Sequence, residues 1–470
     1  MSSAPLCSSA RGCGAAASSA RAPIVVARRA FGRARLPAQP SRAQASAAPS
    51  TTAARPSPTS SSVSPSPPSA PAPASSYAGR TRASFLSSLQ HINPAFAGIS
   101  SEAQFMGLLE QLTEAGKLPL PLLAQWRDFY ESYRGAVVGS GAPGAGEELA
   151  ARVQATIADT VFNQMAPGNA YEFPSAHARL LEPYDYYAFG QRYVGSLVDF
   201  EASVLGRPDR WAAVAAQLAA GDNVVLLANH QTEADPGVFA HMLAAGHPEL
   251  AERVCYVAGD RVVTDPLCKP FSMGRNLFCV HSKRHMGGVE PAVRAARMET
   301  NRRTLVAMQR ALNAGGCLLW IAPSGGRDRP DAESGVWTPD RWDPAAVELM
   351  RSLAARAKPR AHLYPMAMYS WPVMPPPRAV EAAVGERRVT AYSGVGISLC
   401  EELTDAELAA PPRDAAPEVK EAAARGLAEG AQRRVAEEYR LLERAILDPA
   451  ARAAEPEVWA QPFLVPASSD

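Results

Sequence analysis

A histidine and an aspartate lie five positions apart at the end of an apolar run, in the stretch LANHQTEADPGV (227–238). His230 follows the run Val224–Ala228, and Asp235 precedes Pro236 in a pattern typical of a helix start, with the aspartate as N-cap and the proline at the first helical position. The loop between them is short enough to bring the imidazole and the carboxylate together. A carboxylate on one ring nitrogen fixes the tautomer and leaves the other nitrogen to accept a proton, which is the arrangement of a general base.

The same spacing also has a purely structural interpretation. Asp235 would then cap a helix and His230 would be a polar loop residue, and on spacing alone this interpretation is the better one. The motif contains no serine or cysteine, so a base at His230 would act directly on a substrate hydroxyl.

A second polar cluster follows the apolar run in GRNLFCVHSKRHMGG, where Lys283, Arg284 and His285 are consecutive. From Arg275 to Arg310 the chain has eight lysines and arginines but only two acidic residues. This stretch predicts a local positive field, with a solvated charged surface as the structural alternative.

A third cluster closes the apolar run in LLWIAPSGGRDRPD (318–331). Arg327 and Arg329 lie two apart on an extended loop, so both can face one ligand while Asp328 points elsewhere. Planar guanidinium groups suit bidentate binding of phosphate, and the glycine pair lets backbone N–H groups approach an anion. Structural ion pairing, with Asp328 and Asp331 as partners, is the alternative. Three polar clusters that each follow an apolar strand nevertheless describe a base opposite a phosphate-sized pocket.

The elements that must position these clusters form an α/β fold. Residues 81–200 show helical periodicity with short connections, which predicts a small N-terminal helical bundle. Residues 201–470 alternate short β-rich runs (223–228, 253–259, 276–280, 317–322, 363–369 and 388–399) with helical segments. This alternation predicts a larger α/β layered domain whose sheet is covered on both faces, and side chains beyond the carboxyl ends of its strands would gather into one site.

The first 101 of the 470 residues contain ten arginines but no aspartate, glutamate or lysine, and they are rich in alanine, serine and proline. Such a composition is typical of an organelle transit peptide, with a disordered tail as the alternative. We expect residues 1–80 to be this leader, with cleavage between about residues 30 and 80.

Without those ten arginines, residues 102–470 carry 37 basic and 46 acidic residues, a net charge of about −9. An acidic chain disfavours a role in nucleic-acid binding. The five cysteines outside the leader form no CxxC pair, so neither a metal site nor a redox cofactor is expected. No apolar stretch approaches the roughly 20 residues of a membrane helix, so we expect a soluble protein with at most peripheral membrane contact.

These motifs resemble a known family. NHQTEADP is similar to the signature block of the soluble, plastidial glycerol-3-phosphate acyltransferases. GRNLFCVHSKRHM, IAPSGGRDRPD and YPMAMYSWPVMPPP resemble further blocks of the family in the same order, and PYDYYAFGQRYV resembles the segment before the first block. The resemblance covers about residues 85–465.

The resemblance implies a small N-terminal helical bundle followed by a larger domain with a mixed β-sheet flanked by helices. It also implies acyl transfer from acyl carrier protein or coenzyme A to the sn-1 hydroxyl of glycerol 3-phosphate in the chloroplast stroma. His230 would remove the proton from that hydroxyl and Asp235 would orient the imidazole. The phosphate pocket of the family corresponds here to Arg284, His285, Arg327 and Arg329. Family members commonly have a second lysine at the position of Arg284, so Lys283 could share its role. Acyl carrier protein is acidic, and the basic stretch, with Arg294, Arg297, Arg302 and Arg303, is a hypothetical docking surface for it.

Three other functions remain open at this point. A lysophosphatidate-type acyltransferase would use the same His-x4-Asp chemistry, although such enzymes usually carry apolar membrane segments. A phosphate-binding regulatory protein without catalysis would not need both His230 and Asp235. A metal hydrolase would need a third clustered ligand, and a chelator would inhibit it.

Overall fold

The computed structural model describes residues 90–282, 289–377 and 387–464. Within these residues a helical N-terminal region precedes a mixed, nine-stranded sheet with helices on both faces, which confirms the predicted α/β fold class. The α-helices are α1 (Glu102–Glu114), α2 (Leu120–Gly139), α3 (Glu147–Met165), α4 (Tyr186–Gly195), α5 (Pro208–Ala219), α6 (Asp235–Leu243), α7 (Pro248–Arg253), α8 (Asp260–Thr264), α9 (Lys269–Met273), α10 (Pro291–Ala314), α11 (Pro344–Arg356), α12 (Pro417–Leu447) and α13 (Pro449–Ala454). The strands are β1 (Ala176–His177), β2 (Val204–Gly206), β3 (Asn223–Ala228), β4 (Cys255–Ala258), β5 (Asn276–Cys279), β6 (Leu318–Ile321), β7 (Ala361–Tyr369), β8 (Gly396–Leu399) and β9 (Trp459–Ala460).

The N-terminal helices form where the sequence has capping residues and a helical apolar stripe. Ser101 caps α1 by accepting a hydrogen bond from the Gln104 N–H at 3.4 Å. The apolar stripes of α1 and α2 meet at Phe105 and Tyr130, whose rings stack with centroids 5.4 Å apart. Helix α3 packs against both and is buried along most of its length.

The strand order is β1-β5-β4-β6-β3-β7-β8-β2-β9. The five strands β5, β4, β6, β3 and β7 run parallel, whereas β1 and β8 pair antiparallel to β5 and β7. Strand β3 therefore lies between β6 and β7, and the carboxyl ends of all five parallel strands meet at one edge of the sheet.

The two faces of the sheet are both buried, and successive residues of β3 alternate between them. Leu226 and Ala228 belong to the core under the N-terminal helices and α6, whereas Val225 and Leu227 belong to the core under α10, α11 and α12. A fully buried leucine or valine contributes about 1.5–3 kcal/mol relative to exposure. Burial on both faces thus holds the carboxyl end of β3, and the residues that follow it, in a fixed place.

The last predicted strand, 388–399, is wrong over most of its length, because only Gly396–Leu399 joins the sheet. The preceding backbone bonds to other partners. The Thr390 N–H donates to the Ser132 hydroxyl at 2.8 Å and the Ala391 N–H donates to the Val373 carbonyl at 3.1 Å. Strand β1 lies within the predicted helical region yet joins the sheet; the predicted boundaries at residues 80 and 200 stay predictions.

The structure also bears on the membrane and on the cysteines. No helix of the described ranges has the length and apolar character that crossing a bilayer requires. The five cysteines of these ranges are free thiols.

Candidate active site

The carboxyl ends of three adjacent strands supply the polar groups of the site. His230 lies two residues beyond β3, Ser370 directly follows β7, and the loop after β6 carries Arg327 and Arg329. Because β6, β3 and β7 are parallel neighbours, these residues converge at the same edge, where ligands of open α/β sheets bind.

The predicted histidine–aspartate pair forms. Nδ1 of His230 lies 2.7 Å from Oδ2 of Asp235, and the side chains are 24% and 1% exposed. A carboxylate only accepts hydrogen bonds, so Nδ1 is the donor in this contact. Nε2 is then the ring nitrogen that can accept a proton. The Trp320 ring packs edge-on against the imidazole, with ring centroids 5.8 Å apart.

The Asp235 carboxylate is the centre of a hydrogen-bond network rather than a helix cap. Oδ2 accepts the Gln231 N–H at 2.8 Å, and Oδ1 accepts the Thr232 N–H at 3.2 Å and the Ser370 hydroxyl at 2.6 Å. Helix α6 begins at Asp235 itself, with Ala234 as N-cap, so the predicted capping role was wrong. The carboxylate turns back to the loop amides, which tightens the loop and places His230 against it.

The loop between β3 and α6, residues 229–234, carries His230 and is called the base loop here. Asn229 and Asp328 connect the base loop to the loop after β6. Asn229 donates to Oδ2 of Asp328 at 2.9 Å and exchanges two hydrogen bonds with the Met368 backbone. The Asp328 N–H donates to the His230 carbonyl at 2.6 Å. Burial raises the pKa of Asp328 to about 8, although Asn229 and the Asp340 N–H oppose this shift. Asp328 thus serves the link between the loops.

The two arginines of this loop have different surroundings. Nη1 of Arg327 lies 3.6 Å from Oε1 of Glu233, a residue of the base loop. Nη1 of Arg329 donates to the backbone carbonyls of Arg327 and Asp328 at 2.9 and 3.0 Å. Arg329 therefore braces the loop, and Arg327 lies beside the base loop.

Two further predicted residues, Arg284 and His285, lie outside the described residues, which stop at Ser282 and resume at Val289. The segment that leads to them is well anchored. The Asn301 amide of α10 bonds both the N–H and the carbonyl of His281, at 2.7 and 2.9 Å. The His281 imidazole contacts the Asp260 carboxylate beyond β4.

Three fully buried residues at the site were not predicted from the sequence: Asn229, Gln231 and Ser370. Gln231 accepts the N–H groups of Ser370 and Trp371, at 2.9 and 3.2 Å. A signal was present for each: Asn229 and Gln231 flank His230, and Ser370 follows an apolar strand as the predicted residues do. Across the described ranges, no group of three or more histidine, cysteine, aspartate or glutamate side chains is arranged to hold a metal ion.

Comparisons with known proteins identify the family of the chain. The model for the N-terminal region of glycerol-3-phosphate acyltransferases matches residues 93–167, and the acyltransferase model matches residues 214–369. The chloroplastic glycerol-3-phosphate acyltransferase ATS12 of Cucurbita moschata is 40% identical over 75% of this chain and 74% of its own length. The chloroplastic enzymes of Pisum sativum and Arabidopsis thaliana are 41% and 38% identical, over 66% and 77% of this chain and 67% and 76% of their own. The chain belongs to the family of chloroplastic glycerol-3-phosphate acyltransferases.

Proposed function

We propose that the protein transfers a fatty acyl group from acyl carrier protein or coenzyme A to the sn-1 hydroxyl of glycerol 3-phosphate. The observation that carries this proposal is the hydrogen bond between His230 and the buried Asp235, next to a loop with two arginines. The product is 1-acyl-sn-glycerol 3-phosphate, the first intermediate of glycerolipid synthesis. The names of the relatives favour a plastid location, and the stroma is the compartment that we propose.

The reaction needs a base and a place for the phosphate. Nε2 of His230 removes the hydroxyl proton as the oxygen attacks the thioester carbonyl carbon, and the Asp235 carboxylate stabilises the imidazolium. Collapse of the tetrahedral intermediate breaks the carbon–sulfur bond. The imidazolium returns its proton to the leaving thiolate. Because the substrate oxygen attacks the thioester directly, no acyl–enzyme intermediate forms.

The phosphate of the acceptor would be bound by Arg327 and Arg329, with Arg284 and His285 as further contacts. A guanidinium group and a phosphate form paired, charge-assisted hydrogen bonds. Anchoring of the phosphate would present the sn-1 hydroxyl to His230, because a backbone hydrogen bond connects the loop after β6 to the base loop.

An assay of the purified protein tests this function. We expect acylation of glycerol 3-phosphate by acyl carrier protein charged with saturated or unsaturated chains, and mass spectrometry should find the acyl group at the sn-1 position. Acylation of lysophosphatidate instead would favour the other acyltransferase class. Inhibition by a chelator would favour a metal hydrolase.

Replacement of Arg327 with alanine should raise the KM for glycerol 3-phosphate roughly 10- to 100-fold and change the KM for the acyl donor little. Of the two substrates, only the acceptor loses a charge-assisted contact in this variant. Glu233 keeps its other arginine partner, Arg388, so the fold should survive. Arg327→Lys keeps the charge without the planar fork and should give an intermediate KM. An equal rise in both KM values would contradict a role in phosphate binding.

We propose that an acidic acyl carrier protein docks on the exposed arginines of α10. Arg302 and Arg303 are 67% and 68% exposed and share Glu299 as a partner, and Arg294 is exposed one turn from the start of the helix. Asn301, next to Arg302 on α10, bonds the N–H and the carbonyl of His281, two residues beyond β5, so a carrier bound there would lie near the carboxyl ends of the parallel strands.

Charge reversal of Arg294, Arg302 and Arg303 to glutamate should raise the KM for acyl carrier protein about tenfold at low salt, and less at high salt. The KM for glycerol 3-phosphate should stay unchanged. Reversal of Arg425, Arg433 and Arg440, which are exposed on α12, is the matched control. The docking surface is elsewhere if both triple variants keep the same KM for the carrier protein.

A further inference from the structure

An arginine that is distant in sequence, Arg388, contacts the base loop at Glu233, the residue that Arg327 also approaches. We infer that Arg388 is a positioning residue: it holds the Glu233 carboxylate and so keeps it from closing on Arg327, the residue proposed to bind the acceptor phosphate. This inference rests on the proposed phosphate-binding role of Arg327.

The contacts of Glu233 with its two arginines are unequal. Nε of Arg388 donates to Oε2 of Glu233 at 3.0 Å, and Nη2 of Arg388 donates to Oε1 at 3.4 Å. Nη1 of Arg327 is 3.6 Å from Oε1, beyond the length of a normal hydrogen bond. The carboxylate thus pairs with Arg388 through both oxygens and has only a looser ion pair with Arg327.

Arg388 is buried and the other two side chains are largely shielded from solvent, so a loss of charge balance among them would be costly. The exposed fractions are 8% for the Arg388 side chain, 14% for Glu233 and 11% for Arg327. Burial alone would raise the pKa of Glu233, but the two arginines outweigh it and lower the pKa to about 2. Glu233 is therefore a carboxylate at neutral pH, and a buried carboxylate requires a cationic partner.

Arg388 also contacts two residues other than Glu233. Its Nη2 lies 3.5 Å from Oδ2 of Asp265 and donates to Sγ of Cys268 at 3.4 Å. Asp265 is fixed in turn, since its Oδ1 accepts the Leu267 N–H at 2.8 Å. The guanidinium thus bridges Glu233 and a carboxylate on another segment, and its position does not depend on Glu233 alone.

The loss of Arg388 has a specific consequence in this arrangement. Glu233 would keep its negative charge, and Arg327 is its other arginine partner among the described residues, so the carboxylate would close on Arg327. A closed Glu233–Arg327 pair would compete with the substrate phosphate for the same guanidinium. Removal of the Glu233 charge in the same background should then restore phosphate binding, which a purely structural role of Arg388 does not predict.

The test is a double-mutant cycle on the full chain, with KM values for both substrates. We expect Arg388→Gln to raise the KM for glycerol 3-phosphate about tenfold, the scale of one charge-assisted contact, with kcat and the KM for the donor changed by less than about threefold. Addition of Glu233→Gln should bring the acceptor KM most of the way back. The matched control is Arg351→Gln, which removes another buried arginine bonded to a glutamate (Glu348, 2.7 Å) on α11.

Each outcome of the double-mutant cycle either supports or overturns the positioning role of Arg388. An acceptor KM in Arg388→Gln that stays at the wild-type value, or losses that add in the double variant, would overturn the inference. If Arg388→Gln does not fold, Arg388→Lys replaces it, because the lysine cannot contact both oxygens; an unchanged KM would again count against the inference. A wild-type protein that does not acylate glycerol 3-phosphate would instead refute the proposed function.

Discussion

Replacement of His230 with alanine is expected to lower kcat by roughly 10³- to 10⁴-fold, because the reaction then loses its proposed base. The fold should survive. Asp235 keeps three donors, the N–H groups of Gln231 and Thr232 and the Ser370 hydroxyl, so its carboxylate is not left without partners. Turnover with acyl carrier protein and coenzyme A donors measures the first effect, and thermal unfolding measures the second.

The control is a histidine of similar exposure outside the site. His247 is 20% exposed and lies 3.6 Å from Glu249, so His247→Ala removes a comparable imidazole–carboxylate contact. Its kcat should equal that of the wild type. Substantial turnover in a folded His230→Ala variant would show that the base lies elsewhere. If His230 is the base, added imidazole should restore part of the activity of the variant.

Replacement of Asp235 with asparagine should lower kcat by roughly 10²- to 10⁴-fold and also lower the Tm. The negative charge that stabilises the imidazolium is lost. Both carboxylate oxygens accept hydrogen bonds, so the new NH₂ group faces a donor in either orientation of the amide. A buried donor without an acceptor costs about 1–3 kcal/mol, which is a measurable fraction of the stability of a domain.

An aspartate at the start of another helix separates the two effects. Asp343 caps α11 by accepting the Ala345 N–H at 2.9 Å, and Asp343→Asn should leave kcat unchanged. Wild-type kcat in Asp235→Asn would mean that the charge of Asp235 does not act in the reaction.

The strand ends were the most predictable part of the site. Apolar runs of four to nine residues mark β3, β6 and β7, and parallel strands place the residues after them at one edge. His230 and the arginine pair could therefore be assigned to one region from the sequence. The hydrogen bond between His230 and Asp235 follows from the short loop between them, although the helix boundary was displaced by one residue because the carboxylate bonds backwards.

Contacts between distant segments could not be predicted. Arg388 comes from a segment that was assigned to a strand, and its side chain lies against Glu233, 155 positions earlier in the chain. Ser370 meets Asp235 across 135 positions. Such contacts depend on how loops from different strands pack above the sheet, and neither periodicity nor local spacing carries that information.

The link between the Asp328 N–H and the His230 carbonyl has a consequence for acceptor choice. The base and the arginine loop are one backbone unit, braced by Asn229 from within. In the proposed reaction, the fixed distance between the two loops would select an acceptor by the span between its anionic group and its hydroxyl, more than by the identity of either. To accept a longer polyol phosphate, an engineered variant would need an insertion in the loop after β6, since side-chain substitutions leave that span unchanged.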